Sequence, residues 1–123
     1  MKKIVLLFMV IFTVAFSGCT KSTSSTSSGV YKGVVLFSIC SHTVIQTIGS
    51  PNYIGQDTWA SGSNPGDPVY HHVFAVQNGC QFGNHPQGDT ISFRVIPAQV
   101  QNCMYCLIAV AVPDTTIPIQ VLN

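Results

Sequence analysis

The chain contains no glutamate, and only 7% of its 123 residues are charged. Four aspartates face five lysines and arginines, and the basic residues form no cluster beyond Lys2-Lys3. A nucleic-acid surface needs a clustered basic face, so that class is excluded. Leucine and lysine are also scarce after the first 20 residues, which argues against long helices and coiled coils. Disorder over the whole length is excluded from the other side, because 46% of the residues are hydrophobic. There is one tryptophan, and no glycine pattern of a phosphate-binding loop or a dinucleotide fold. No Gly-x-Ser-x-Gly nucleophile elbow is present either.

What is present begins with an address. Residues 1–19 read MKKIVLLFMVIFTVAFSGC. Lys2 and Lys3 precede an apolar run from Ile4 to Phe16, interrupted only by Thr13. A membrane span needs about 20 apolar residues, so this run is short for one and fits the hydrophobic region of a secretory signal. Its end, Phe16-Ser17-Gly18-Cys19, resembles the lipobox of bacterial lipoprotein signal peptides. The resemblance covers residues 1–19 alone. It implies cleavage before Cys19 and a lipid anchor on that cysteine. It also implies an exported protein at the cell-envelope membrane, at the outer membrane or its periplasmic face. Residues 1–18 are then the signal peptide.

Residues 19–29 form the lipidated cysteine and a tether, with TKSTSSTSS at 20–28. Such a polar, low-complexity stretch buries too little apolar surface to offset its ordering entropy. Ten extended residues reach at most about 35 Å, so a domain behind it stays close to a lipid surface. Without residues 1–18, Lys21, Lys32 and Arg94 balance Asp57, Asp67, Asp89 and Asp114 almost evenly. No electrostatic steering of a charged partner follows.

Residues 30–123 form a single domain. They hold 12 Val, 9 Ile and 6 Thr against 3 Leu and 1 Lys. β-Branched side chains at that density point to strands. Gly88-Asp89 is a turn signal followed by clean alternation from Thr90 to Val95, with Ile91, Phe93 and Val95 inward. Tyr31, Val35, Phe37 and Ile39 share a face of a first strand, which His42 to Ile48 continue past a bulge near Ser41. Further strands are expected at Val69 to Gln77, Tyr105 to Val112 and Thr116 to Leu122, with Pro118 marking an edge. The expectation is an all-β domain of about six strands. A small antiparallel β-barrel or β-sandwich, stabilised by disulfides, would protect its edges.

The connection over 49–68 is long for a compact domain, and long loops are often functional. It carries Tyr53, Asp57, Trp59 and Asn64, the candidate ligand-binding set for a sugar or peptide, with Tyr70 or His72 nearby. The competing role for Trp59 is a lid folded over an open end of the core. Asp67, Asp89 and Asp114 adjoin Gly or Pro and read as turn chemistry. No catalytic pair emerges, so the domain is read as non-enzymatic, with no cofactor.

Cys40, Cys80, Cys103 and Cys106 remain as disulfide candidates in an oxidising compartment. Cys106 is placed inward on a strand with Ile108 and Val110, whereas Cys80 and Cys103 fall in loops. This favours Cys40–Cys106 with Cys80–Cys103. The rival is Cys103–Cys106 with Cys40–Cys80. A second functional reading takes Cys103-x-x-Cys106 as a metal or thiol-redox motif, with Cys40 and His42 as further ligands. No helix start follows the motif to acidify a thiol. His71 and His72, adjacent in an expected strand, should point to opposite faces and share no metal.

Overall fold

A computed structural model of the chain describes residues 29–49, 51–98, 100, 104, 106 and 109–123. The signal segment, Cys19, residues 20–28 of the tether and Cys103 lie outside the described residues. The described fold is all-β. A six-stranded sheet curls into a half-barrel, and a two-stranded ribbon lies beside it.

Strands β1 (Tyr31–Ile39) and β2 (His42–Ile48) form an antiparallel hairpin. The chain does not run on through Ser41; it reverses there. Ile39 pairs with His42 across a two-residue loop, Cys40-Ser41, with φ of 51° and 68°. Positive φ at both positions is the type I′ signature, whose twist matches the flanking strands. Neither residue is glycine, so each carries a cost of about 1–3 kcal/mol for a left-handed conformation. The expected bulge occurs earlier, between Val35 and Phe37. It splits the first strand between two packing groups, with Tyr31 and Val35 in one and Phe37 in the other.

The next strands are β3 (Trp59–Ala60), β4 (Val69–Tyr70) and β5 (Val73–Val76). The single strand expected over 69–77 is broken at His71-His72, where His72 takes φ 56°. β3 and β4 pair as the ribbon. β5 is buried at all four residues, between β2 and β7. β6 (Thr90–Val95) has the expected bounds, with Ile91 and Phe93 buried and Thr90 and Arg94 exposed. β7 (Thr116–Ile117) and β8 (Ile119–Leu122) flank Pro118 and occupy the two ends of the sheet order β7-β5-β2-β1-β6-β8. Pro118 therefore sits where a missing N–H interrupts no central ladder.

Two expectations need correction. The sheet is not a closed barrel, and the β5–β7 pairing is parallel, not antiparallel. The strand expected over 105–112 is absent at its described residues, 106 and 109–112. Apolar composition alone does not make a strand.

The reason the sheet stays open lies in its last segment. Ala75 and Gln77 donate N–H to the carbonyls of Thr115 and Ile117, whereas Ile96 donates to Pro118. Pairing thus passes from β5 to β6 within a few residues. Past Ile117, β5 has ended, and the Asn78 side chain stands in for a strand. Its Nδ2 donates to the Ile119 carbonyl at 2.7 Å, and its Oδ1 accepts the Ile119 N–H at 2.9 Å.

The sheet packs on both faces. Val44 and Ile45 are consecutive in β2, as are Val73 and Phe74 in β5, and in each pair the members enter different clusters. The larger cluster centres on Phe74, Phe93, Ile45 and Val35, all fully buried. The smaller one joins Val44 and Val73 to Trp59, with Phe37, Tyr70 and Val112 against them.

Cys40 is bonded to Cys106, with 5.4 Å between Cα atoms and a sequence separation of 66. Closing a loop of that length stabilises by about 4 kcal/mol in the chain-entropy account. The Cys103–Cys106 pairing is thereby excluded. Cys106 itself is exposed and in no strand, so the inward strand position expected for it was not what brought it to Cys40. Cys80 is also disulfide-bonded.

Replacing Asn78 with Ala would leave the buried N–H and carbonyl of Ile119 without partners. We expect a loss of about 2–4 kcal/mol in urea unfolding with an unchanged m-value. A loss below about 0.5 kcal/mol would show that water replaces the clamp.

Candidate functional site

The connection over 49–68 is tied down along its length. Gln56 bridges Val73 through two backbone bonds, N–H to carbonyl in each direction, at 2.7 and 3.0 Å. Its side chain donates to the Thr58 carbonyl and accepts from the Asp114 N–H. Gly55, at φ 108°, lies against the Val73 backbone, where a side chain would collide. Thr47 Oγ1 donates to the Ile54 carbonyl at 2.7 Å. The connection thus follows the sheet instead of leaving it.

Trp59 opens β3 at 8% exposure. Its ring lies 6.0 Å from Tyr70 and 6.4 Å from Phe37, over Val44 and Val73. Trp59 is thus packed as part of the smaller core cluster. Tyr70 is half-buried in the same cluster.

Asn64 is exposed and belongs to a closed turn. Its N–H donates to Asp67 Oδ2 at 2.8 Å, and its carbonyl accepts the Asp67 N–H at 3.2 Å. That turn, with Pro65-Gly66 at its tip, connects the two ribbon strands. No described contact joins Asn64 to Tyr53 or Asp57.

Tyr53 and the Asp57 carbonyl are each met by one of two adjacent histidines. Tyr53 is 44% exposed and stacks on His72, with centroids 4.2 Å apart and planes 12° from parallel. His71 Nδ1 lies 2.9 Å from the Asp57 carbonyl oxygen. A carbonyl only accepts, so Nδ1 carries the proton. The His71 carbonyl in turn accepts from Gln46 Nε2 at 3.2 Å. The resulting ledge, Tyr53, His72, His71 and Asp57, lies beside the kink between β4 and β5. His71 was missed as a member because strand alternation would separate it from His72. The left-handed conformation at His72 ends that alternation, and nothing in the residue types announces it.

Two described cavities lie elsewhere. A groove of about 420 Å³ runs beside Asn78, Phe82, Pro97 and Ile119, with Gln81 and Gln120 at its rim. A second, of about 340 Å³, lies by Tyr31, Lys32, Ile48 and Pro51. The first offers amides and apolar surface with no ionisable group. The second offers one lysine. Neither assembles an acid–base pair.

The Cys-x-x-Cys reading meets a direct obstacle. The Cys106 sulfur is bonded to Cys40, so in this oxidation state neither is a thiolate ligand or half of a Cys103–Cys106 dithiol. Among the described residues, no group of three or more His, Cys, Asp and Glu could hold a metal ion.

Trp59→Ala should destabilise the domain by about 3–5 kcal/mol, as removal of a buried aromatic does. Thermal or urea unfolding measures this. A change below about 1 kcal/mol would mean that the indole is not part of the core.

No protein-family model, no curated protein and no solved structure matches the chain.

Proposed function

We propose that the chain is an exported protein held at the bacterial cell envelope by a lipid on Cys19. Its small β-domain acts by binding or as a structural part of the envelope, and not by catalysis. The observation that carries this reading is the N-terminal run ending in Phe16-Ser17-Gly18-Cys19, with a polar tether directly behind it. The Cys40–Cys106 bond supports it, because disulfides persist in oxidising, exported compartments and are rare in the cytosol. The outer membrane or its periplasmic face is the proposed location.

A tether of about ten residues keeps the domain within roughly 35 Å of the lipid surface. A sugar or peptide there would meet Tyr53 first, whose ring is half exposed and backed by His72. Aromatic rings with an apolar body and a polar tip suit both ligand classes. Asp57 is exposed. The metal or thiol-redox alternative through Cys103 and Cys106 is the weaker reading, since Cys106 is already bonded to Cys40.

Radiolabelled palmitate should enter the wild-type protein and not a Cys19→Ala variant. The variant should also leave the membrane fraction. Equal labelling of the two would overturn the anchor assignment.

A further inference from the structure

The chain holds six asparagines, and one of them, Asn78, is followed by glycine. In such a pair the glycine places no side chain beside its own nitrogen and leaves the backbone free to turn. Its nitrogen can then reach the carbon of the preceding side-chain amide. The fold demands both residues for other reasons. Gly79 is buried against the hairpin corner, where a Cβ would overlap the Ser41 carbonyl oxygen. Asn78 is 4% exposed, and both ends of its amide are taken by Ile119, at 2.7 and 2.9 Å. Two separate packing demands thus set a chemically labile dipeptide just past the end of β5.

We propose that Asn78 is a deamidation site, gated by the opening of its clamp on Ile119. In the reaction the Gly79 nitrogen gives its proton to hydroxide and attacks Asn78 Cγ. The N–Cγ bond forms and the Cγ–Nδ2 bond breaks. Nδ2 takes a proton from water, which restores the hydroxide, and leaves as ammonia. The five-membered succinimide then adds water at either carbonyl and opens to aspartate or isoaspartate. Water is the only co-reactant. The folded backbone holds back the first step. Ring closure needs the Gly79 nitrogen on the same side of the Cα–C bond as Cβ. At ψ 43° that nitrogen stands nearly opposite Cβ, while the amide is held at Ile119. The attack therefore waits until the amide leaves Ile119 and the peptide turns over.

The product cannot close the clamp again. A carboxylate has no proton to donate, so where Nδ2 met the Ile119 carbonyl at 2.7 Å two acceptors would face each other. The described residues lining the groove beside Asn78 include no cation to offset the new charge. Isoaspartate also lengthens the main chain by one carbon, directly before the glycine that is fitted against Ser41. Each opening that reacts is thus irreversible, and the end of the sheet held by Asn78 is released one molecule at a time. None of this depends on the lipid anchor.

The test ages the disulfide-intact full chain, solubilised in detergent, in mildly alkaline buffer made with heavy-oxygen water. Peptide mass spectrometry reads the uptake of one heavy oxygen at Asn78. The same chain in urea, with its disulfides intact, gives the unfolded rate. The native rate should be lower by at least about tenfold, because only opened molecules react. Exchange of the Ile119 N–H, which donates to Asn78 Oδ1, reports the same opening. Its protection should match the suppression of deamidation within about threefold, and urea below the unfolding transition should speed both together. Asn78→Asp, the product built in, should lower that protection by at least about tenfold. Equal deamidation rates in the native and unfolded chain would overturn the proposal. So would an Ile119 N–H that exchanges freely while Asn78 stays intact, or aged, labelled molecules whose Ile119 protection is unchanged.

Discussion

Two consecutive non-glycine residues in the left-handed region turn β1 into β2, and the first of them is bonded to Cys106. The rest of the sheet depends on that corner. The tight loop sets the β1–β2 register, and with it the partition of Val44 and Ile45 between two packing groups. Gly79 packs directly against the Ser41 carbonyl, so the turn that follows β5 is seated on the same corner. Ser41 Oγ reaches the Met104 carbonyl, and Cys106 follows two residues later. A segment with no described strand pairing between β6 and β7 is thereby fixed at its centre by a covalent bond. The strain of about 1–3 kcal/mol per left-handed residue is comparable with what a disulfide closing so long a loop returns.

The open sheet is decided elsewhere, in the last segment of the chain. The last segment of the chain reaches both β5 and β6 but changes allegiance at Pro118. Asn78 bridges the gap with one amide. A side chain satisfies a single backbone N–H and carbonyl, where a strand would satisfy a row of them. The half-barrel is the consequence. The groove beside Asn78 and Ile119 lies where the ladder is missing.

Much of the fold was legible in residue order. β6 was readable to the residue because a Gly-Asp turn and strict alternation agreed on it. Pro118 told its own position at an edge. The hairpin at Cys40-Ser41 was not legible, since the type I′ turn usually announces itself with Asn-Gly or Asp-Gly. The break at His71-His72 was hidden for the same reason: a positive φ at histidine leaves no trace in a hydrophobic pattern. The run LIAVAV at 107–112 shows the opposite failure, a strand-like composition whose described residues pair with no strand. In the candidate site, Trp59 was weighed as platform or lid, and it is buried in the smaller cluster. Tyr53 and the Asp57 carbonyl each contact one of two adjacent histidines, a relation that spacing along the chain could not display.

The central claim is that the Cys40–Cys106 bond holds the corner from which the sheet is organised. Non-reducing digestion that cuts between Cys103 and Cys106, at Met104 or Tyr105, followed by fragment sequencing by mass spectrometry, tests it most directly. The account predicts a linked pair of peptides, one containing Cys40 and the other Cys106, with no free thiol on either. A peptide pair joining Cys103 to Cys106, or Cys40 to Cys80, would contradict it.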